Sequence, residues 1–514
     1  MALRSTYSAP RRAHYLQPGG PWDVPILDEL FRLSPVTAGP AVVDGSRRID
    51  ARELEDAVAG LAGSLKKLGI RRGDVVSWQL PNWFEAIVLY RACWRLGATA
   101  APFHHQMGGK EVTAMIESVQ PKVLLSTASM PLSEIGNVLK VRGEGSVFEE
   151  LMHGRAVTTS PSKGTDVAAV IFTSGSTGRP KAVMHSQRGL AYKARSMSHV
   201  HGLGQGDAVL MPAPLAHISG LLNAVLVPGA AGMKVVLMER WSVDEGIELM
   251  ASEAVTYMIG PPLMFDAIMD APSFSREKVA AMRVISSGMM GVRPTFIERA
   301  HREMGAVVKR SYGSTEAPTV STCRNDDPQE RCEETDGRAQ GATEIKVVDP
   351  SSHRLRKPGV EGEVWIRGPE LFTGYIDEQE TRDAIHRGWF RSGDLGVLRD
   401  GWLVITGRIK DLIIRGGENI SATEVEQALE QHPDVTHAVV VGRDHERLGE
   451  QVVAFVVTTE PFELSTCQAW FAEIGVARFK TPEFIVLLQE IPLLPAGKPD
   501  RSALKALAAT LPAS

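Results

Sequence analysis

Residues Thr173 to Lys181 read TSGSTGRPK: two glycines, four hydroxyl residues and a lysine, directly behind the apolar run VAAVIF. Glycines let a backbone approach a polyphosphate closely, successive N–H groups form an anion-binding nest, and hydroxyls add donors. Lys181 adds a point charge. Thr173, Ser174, Gly175, Ser176, Thr177, Gly178 and Lys181 are therefore candidates for holding a nucleotide's phosphates. This is not a Walker loop, which runs from strand to loop to helix with its lysine opening the helix. Here Pro180 precedes Lys181, and AVMHS follows with little helical character. The loop is predicted to link two strands. A Gly/Ser surface turn is the bland alternative.

Four further places carry chemistry. YGSTE (312–316) follows the strand-like VVKRSYG, and Glu316 offers the carboxylate oxygen that a hard cation prefers; alone it would read as a solvated acid. Asp394 lies between glycines in SGDLG, predicted as a tight turn. There an aspartate either accepts two ribose hydroxyls, a recurrent nucleotide device, or bonds its own backbone. His217 follows PAPLA, where a packed core histidine is the usual reading. Lys498 stands in PAGKPDR, where nothing local requires a lysine and a solvated charge is the alternative.

These residues need a frame. Segment 50–69 has apolar residues at Leu54, Val58, Leu61, Leu65 and Leu68, a helical spacing closed by Gly69. Residues 74–80 read as a strand, 84–97 as a helix, and 122–127 as a strand. The alternation continues through strands at 167–174, 208–214, 234–238, 255–260 and 283–288, which implies parallel sheets covered by helices. From about 340 short strands and turns suggest a smaller β-rich subdomain. From 411 a compact α/β pattern begins, so a boundary is placed near Lys410. The division is 1–409, a hinge at 410, and 411–514. The stretch 221–238 holds Pro228, two glycines near its middle and Lys234, and reads as helix, turn and strand rather than a membrane span, which needs about 20 uninterrupted apolar residues.

At 514 residues, more than one domain is expected. The net charge of -5 and the lack of a basic block argue against a nucleic-acid partner. Four scattered cysteines, never spaced Cys-x-x-Cys, favour a reducing compartment, and a cytoplasmic location is expected. The first 22 residues are basic and lack an apolar h-region, which argues against a secretory signal; they are read as a flexible arm, with an organelle transit peptide as the alternative.

TSGSTGRPK, YGSTE, SGDLG, GRIKDLIIRGGENI (407–420) and LPAGKPDR (494–501) together resemble, in order and spacing, the adenylate-forming superfamily of acyl-CoA synthetases, luciferases and peptide-synthetase adenylation domains. The resemblance runs from about residue 25 to 505. MPAPLAHISG (211–220), TDGRAQGATEIKVVD (335–349) and RGGENIS (415–421) look most like bacterial cyclohexanecarboxylate and short-to-medium-chain acyl-CoA synthetases.

The resemblance implies a large N-terminal α/β domain, with a small β-rich subdomain, and a small mobile C-terminal α/β domain carrying Lys498. It implies that Tyr312 packs on adenine beside Gly288, Gly313 and Ser314, that Thr315 touches phosphate, and that Glu316 helps hold Mg²⁺. Asp394 and Arg408 would reach the nucleotide; for Arg408 the alternative is an inconsequential surface ion pair. His217, Ile259, Ser287, Met289 and Gly313 would line the acid's site, and His217, Glu316, Thr173 and Lys498 would be catalytic. Gly416 and Gly417 would pass a pantetheine arm, although helix capping by Ser421 explains the neighbouring residues equally well. SSGMMGV (286–292) departs from the family's small residues at Met289 and Met290, and Leu494 replaces a usual threonine or serine.

The implied reaction joins a carboxylic acid to coenzyme A with ATP and Mg²⁺, through an acyl-adenylate, on short-to-medium or alicyclic acids. Transfer to a separate carrier protein, a luciferase-like oxidation and a non-catalytic nucleotide or acyl sensor are the alternatives. Retention of Lys181, Glu316, Asp394 and Lys498 argues against the sensor. Oligomeric state, a homodimer included, stays open.

Overall fold

The computed structural model describes residues 7–36, 38–134, 138–173, 180–288, 292–416, 418–494 and 498–512. Ser174, Gly175, Ser176, Thr177, Gly178, Met289, Met290, Gly417 and Gly497 lie outside them.

Among the described residues the strands gather into three sheets. The first has seven strands, in the order Gly374–Tyr375, Lys181–Ser186, Val167–Thr173, Thr99–Phe103, Val75–Gln79, Val123–Ser126 and Val138–Lys140. From Val167–Thr173 onward the pairing is parallel. The second has 14 strands. Its parallel part includes Val307–Tyr312, Val284–Ser287, Tyr257–Gly260, Ala208–Met211 and Lys234–Leu237. Antiparallel strands continue it through Trp402–Arg408 and Trp389–Arg399 to Glu344–Val348, the β-rich part predicted from residue 340. The third sheet, of five strands, begins at Leu412–Arg415 and ends at Phe484–Leu487. A large N-terminal sheet domain and a smaller C-terminal one result. The one-turn connector Ile409–Asp411 joins them, with Lys410 exposed at its middle.

Helix Phe84–Leu96 is buried almost all round, as befits a helix covered on every side. Its Tyr90 and Trp94 share one apolar core with Trp78 and Ile171 of the first sheet and Val209 and Tyr257 of the second. This core holds the two sheets in fixed relation. Stretch 221–238 follows its predicted course: a π-helical segment Leu221–Leu226, helix Val227–Ala231, a turn at Gly232 and strand Lys234–Leu237.

Two expectations need correction. The flexible-arm reading fails from Tyr7 onward: Ala9–Leu16 is helical, and Tyr7, Tyr15 and Trp22 pack edge to face in a buried cluster. Trp22 Nε1 donates to the Pro369 carbonyl at 3.0 Å. Three aromatic rings outweigh the arginines that dominated the sequence reading. SGDLG is not a tight turn either; it lies inside strand Trp389–Arg399. Gly393 takes φ +71° there, which a glycine allows, and the reversal comes later at Asp400 and Gly401, φ +52° and +81°. Asp394 is thereby placed directly opposite Arg408 on the neighbouring strand.

Candidate active site

Parallel α/β sheets bind ligands beyond the C-terminal ends of their strands, and the candidate residues collect there. Thr173 ends its strand and pairs directly with Lys181, which opens the next, so residues 174–180 form the predicted strand-to-strand link. Lys181 Nζ lies 3.3 Å from Glu380 Oε1 and 5.0 Å from the centre of the Tyr375 ring. The Tyr375 hydroxyl donates to Glu316 Oε1 at 2.6 Å. Lys181 and Glu316, 135 positions apart in sequence, are thus joined through one tyrosine.

Gly288 and Gly313 follow the ends of Val284–Ser287 and Val307–Tyr312. A Cβ on Gly313 would lie 2.3 Å from the Thr319 nitrogen, and one on Gly288 would lie 2.5 Å from the Ser311 carbonyl oxygen. Both positions therefore require glycine. Thr315 is buried, and Ser314 Oγ accepts from the Ala317 N–H at 3.2 Å. Ser287 is fully buried and its hydroxyl donates to the Gly260 carbonyl at 3.1 Å. Ile259 is half-buried against the main core.

The Tyr312 hydroxyl donates to Asp394 Oδ2 at 2.7 Å, and Arg408 Nε donates to Asp394 Oδ1. Burial, then the Asp394 charge, raises the Tyr312 pKa well above its usual range. Burial opposes the charge on Arg408, but Asp394 outweighs it and the net shift is upward.

His217 Nδ1 accepts from the Ser219 N–H at 3.2 Å. Surrounding protein, with the charge of Lys498 nearby, pushes its pKa down to about 4, so it is neutral at pH 7 with its proton on Nε2. Lys498 is exposed by surface area, yet enough protein surrounds its ammonium to lower its pKa. Arg408, Asp394, Lys410 and Glu316 all lie within its electrostatic reach. Its backbone is anchored: the Leu494 N–H donates to the Lys498 carbonyl at 2.7 Å, and the Asp500 N–H to the Pro492 carbonyl at 2.8 Å. Gly416 is exposed on a turn at φ +60°, with open space where a Cβ would lie. Ser421 caps helix Ala422–Leu429 and also donates to the Thr406 carbonyl at 2.8 Å, across the domain junction.

Residues from both domains thus come within electrostatic reach of one another: the tethered carboxylate Glu316, the Asp394–Arg408 pair with Tyr312, and Lys498 of the small domain. The sequence profile of AMP-binding enzymes matches residues 37–376, and that of the AMP-binding enzyme C-terminal domain matches 424–498. The chain belongs to the AMP-binding enzyme family. Within the family it is 33% identical to the medium-chain fatty-acid–CoA ligase of Escherichia coli (strain K12), over 98% of this chain and 94% of the relative. It is 31% identical to the indoleacetate–CoA ligase of Aromatoleum aromaticum, over 90% and 94%. The crystal structure of ATP-bound MatB from Rhodopseudomonas palustris superposes with a TM-score of 0.87 at 25% identity, covering 94% of this chain and 98% of MatB.

Sequence reasoning missed Tyr375, Glu380 and His104. Nothing local places Tyr375 beside Glu316, 59 positions away. The tandem His104–His105 directly after the apolar strand ATAAPF was a visible signal.

Proposed function

We propose that this protein is an acid–CoA ligase that makes an acyl-adenylate from ATP and a short-to-medium or alicyclic carboxylic acid, then passes the acyl group to coenzyme A. The electrostatic reach of Lys498 to Glu316, Asp394 and His217 carries this reading, and two CoA-ligase relatives aligned over nearly the whole chain support it.

In the first half-reaction a carboxylate oxygen of the acid bonds to the α-phosphorus of ATP while the bond to pyrophosphate breaks. The obstacle is the approach of two anions. Lys498 places a cation where they meet, the neutral His217 donates from Nε2 to the acid's carboxylate, and Lys181 with the glycine loop holds the departing phosphates. Asp394 and Arg408 hold the ribose. Glu316 is one half-buried carboxylate, and among the described residues no group of three or more His, Cys, Asp or Glu side chains forms a cage. That suits Mg²⁺, which is usually held by one or two carboxylates and otherwise by phosphates and water. Bound there, Mg²⁺ would neutralise phosphate charge. In the second half-reaction the thiolate sulfur of coenzyme A bonds to the acyl carbon, the mixed anhydride breaks and AMP leaves. The small domain turns at Lys410 between the two steps, withdrawing Lys498 and bringing Gly416 and Gly417 beside the thiol. A reducing, cytoplasmic setting fits four cysteines that are all buried and free. No helix among the described residues is long and apolar enough to cross a membrane.

Pyrophosphate release, with and without coenzyme A, over C2 to C16, alicyclic and aromatic acids tests the proposal. Release on acid and ATP, with acyl-CoA formed on adding coenzyme A, is the expected result. Palmitate as the best acid would remove the size assignment, and no acid-dependent release would remove the ligase.

Two variants probe parts of this scheme. Tyr375→Phe removes the donor to Glu316 Oε1, so the Mg²⁺ concentration for half-maximal adenylation should rise by about tenfold or more, from the loss of a hydrogen bond to a charged group. Isothermal titration of Mg·ATP checks the same change without turnover. An unchanged Mg²⁺ requirement would make the tether structural only. Lys410→Pro fixes φ near −65° in the connector; it should slow one half-reaction at least about tenfold more than the other, because a hinge is a backbone device. Equal loss in both half-reactions, or none, counts against a hinge there.

A further inference from the structure

His104 stands one residue beyond the C-terminal end of strand Thr99–Phe103, beside the strand that ends at Thr173; the Phe103 and Phe172 rings lie 5.7 Å apart. Its side chain is not a packed core histidine with both nitrogens satisfied. Nδ1 accepts from the Gln106 N–H at 3.1 Å, so the neutral ring carries its proton on Nε2. That Nε2 is buried and has no hydrogen-bond partner among the described residues, and the residue as a whole is only 9% exposed. His105 stacks on the ring at 4.8 Å, and His217 lies within electrostatic reach. Burial, the neighbouring His105 and then His217 push the His104 pKa down to about 3, so it stays neutral at pH 7.

His217 has the same construction, with Nδ1 held by a backbone N–H and the proton on Nε2. Two neutral imidazoles with matching tautomers therefore lie within electrostatic reach of each other. His217 also feels Lys498, the residue proposed to grip the reacting carboxylate. His217 is thus within electrostatic reach of both Lys498 and His104. A buried N–H left without an acceptor is costly, and an aliphatic chain laid against it offers none. A triphosphate is a poor match too, because a phosphate-binding residue profits from positive charge and this ring resists protonation.

The geometry points to His104 as a specificity-determining residue whose Nε2–H donates to a second, neutral oxygen on the acid, so that the protein prefers carboxylic acids bearing a hydroxyl or carbonyl oxygen within a few atoms of the carboxyl group. This rests on the acid–CoA ligase reading and narrows its substrate class. An acid lacking that oxygen leaves the donor unpaired, and a site built around a donor discriminates more sharply than an apolar wall does.

The test is pyrophosphate release with matched acids: hexanoate against 3-hydroxyhexanoate and 3-oxohexanoate, and cyclohexanecarboxylate against its 2-hydroxy and 2-oxo derivatives. Wild type should favour at least one oxygenated member of these sets in kcat/KM by about tenfold, the worth of one well-placed hydrogen bond. His104→Leu should erase that ratio, and His104→Gln, which returns an N–H donor, should restore part of it. The ratio within one variant cancels any general loss of folded enzyme, and KM for ATP should move little. Equal ratios in wild type and His104→Leu would overturn the proposal. So would a rise confined to the KM for ATP, which would give the imidazole to phosphate. If no acid of either kind releases pyrophosphate, the ligase reading itself falls, a result distinct from either of these.

Discussion

Lys498→Ala is expected to slow adenylation by roughly 10²–10³ while leaving thioester formation nearly intact, since removing one preorganised donor to a developing oxyanion costs about that much. The site explains the size and selectivity of the effect. The lysine's backbone is pinned by the Leu494 and Asp500 hydrogen bonds, and Asp500 also caps helix Arg501–Ala509. Truncating an accessible side chain there removes no core packing, so the fold should survive. The ammonium meets Arg408 and Lys410 as like charges and Asp394 and Glu316 as opposite ones. Burial is the largest influence and lowers its pKa. Such a cation loses its proton as pH rises, at a pH below the ordinary lysine range. Because kcat/KM reports the free enzyme, its alkaline limb should start early for adenylation and be absent from thioester formation. Acid-dependent ATP–pyrophosphate exchange measures the first step, and synthetic acyl-AMP with coenzyme A measures the second. A parallel fall in both would make Lys498 structural or remove the proposed rotation. No fall in either would end the catalytic assignment.

The parts of this site that are legible in sequence are those with a local cause. Val167–Thr173 is an apolar run rich in β-branched residues, and Gly and Pro separate it from the less regular Lys181–Ser186, so the first strand and the break after it follow from pattern alone. Helix Phe84–Leu96 ends where Gly97 adopts φ +70°, as its sequence requires. Glycines 288 and 313 were read as site residues; the close backbone approach that demands them emerged only from the structure.

What stayed hidden depends on partners distant in the chain. The Asp394–Arg408 pair is a matter of strand register: the strands slip between Leu395 and Gly396, and a one-residue change would turn Asp394 to the other face. The Tyr375–Glu316 tether and the electrostatic reach of His217 to His104 link segments whose local sequences carry no sign of each other. The N-terminal aromatics misled for the same reason. Tyr7, Tyr15 and Trp22 have no periodicity of their own, and only the surface around Leu371 and Phe372 gives them a place to pack.

Asp394→Ala should weaken AMP binding and raise the KM for ATP by about 10- to 100-fold, the worth of about 1.5–3 kcal/mol for hydrogen bonds to a charged group. The structure adds a competing effect that the sequence did not reveal. Asp394 already accepts from Tyr312 and Arg408, so the alanine variant loses an orienting contact to each as well as the ribose acceptor. The stability cost should nevertheless be modest. The Arg408 side chain is 43% exposed and can be hydrated, and the backbone pairing of Asp394 with Arg408 does not depend on the carboxylate. Asp394→Asn separates the two contributions. It keeps the size and one acceptor oxygen that Tyr312 can use, but loses the charge and the second acceptor that would serve the ribose. If ribose binding dominates, calorimetry should show both variants losing affinity for AMP while their melting temperatures stay close to wild type. If the carboxylate serves mainly to hold Tyr312 and Arg408, the melting temperature should fall in the alanine variant and recover in the asparagine one, with AMP affinity following it. Unchanged AMP affinity in both variants would return Asp394 to the strand pair alone and leave the ribose without an acceptor from this residue.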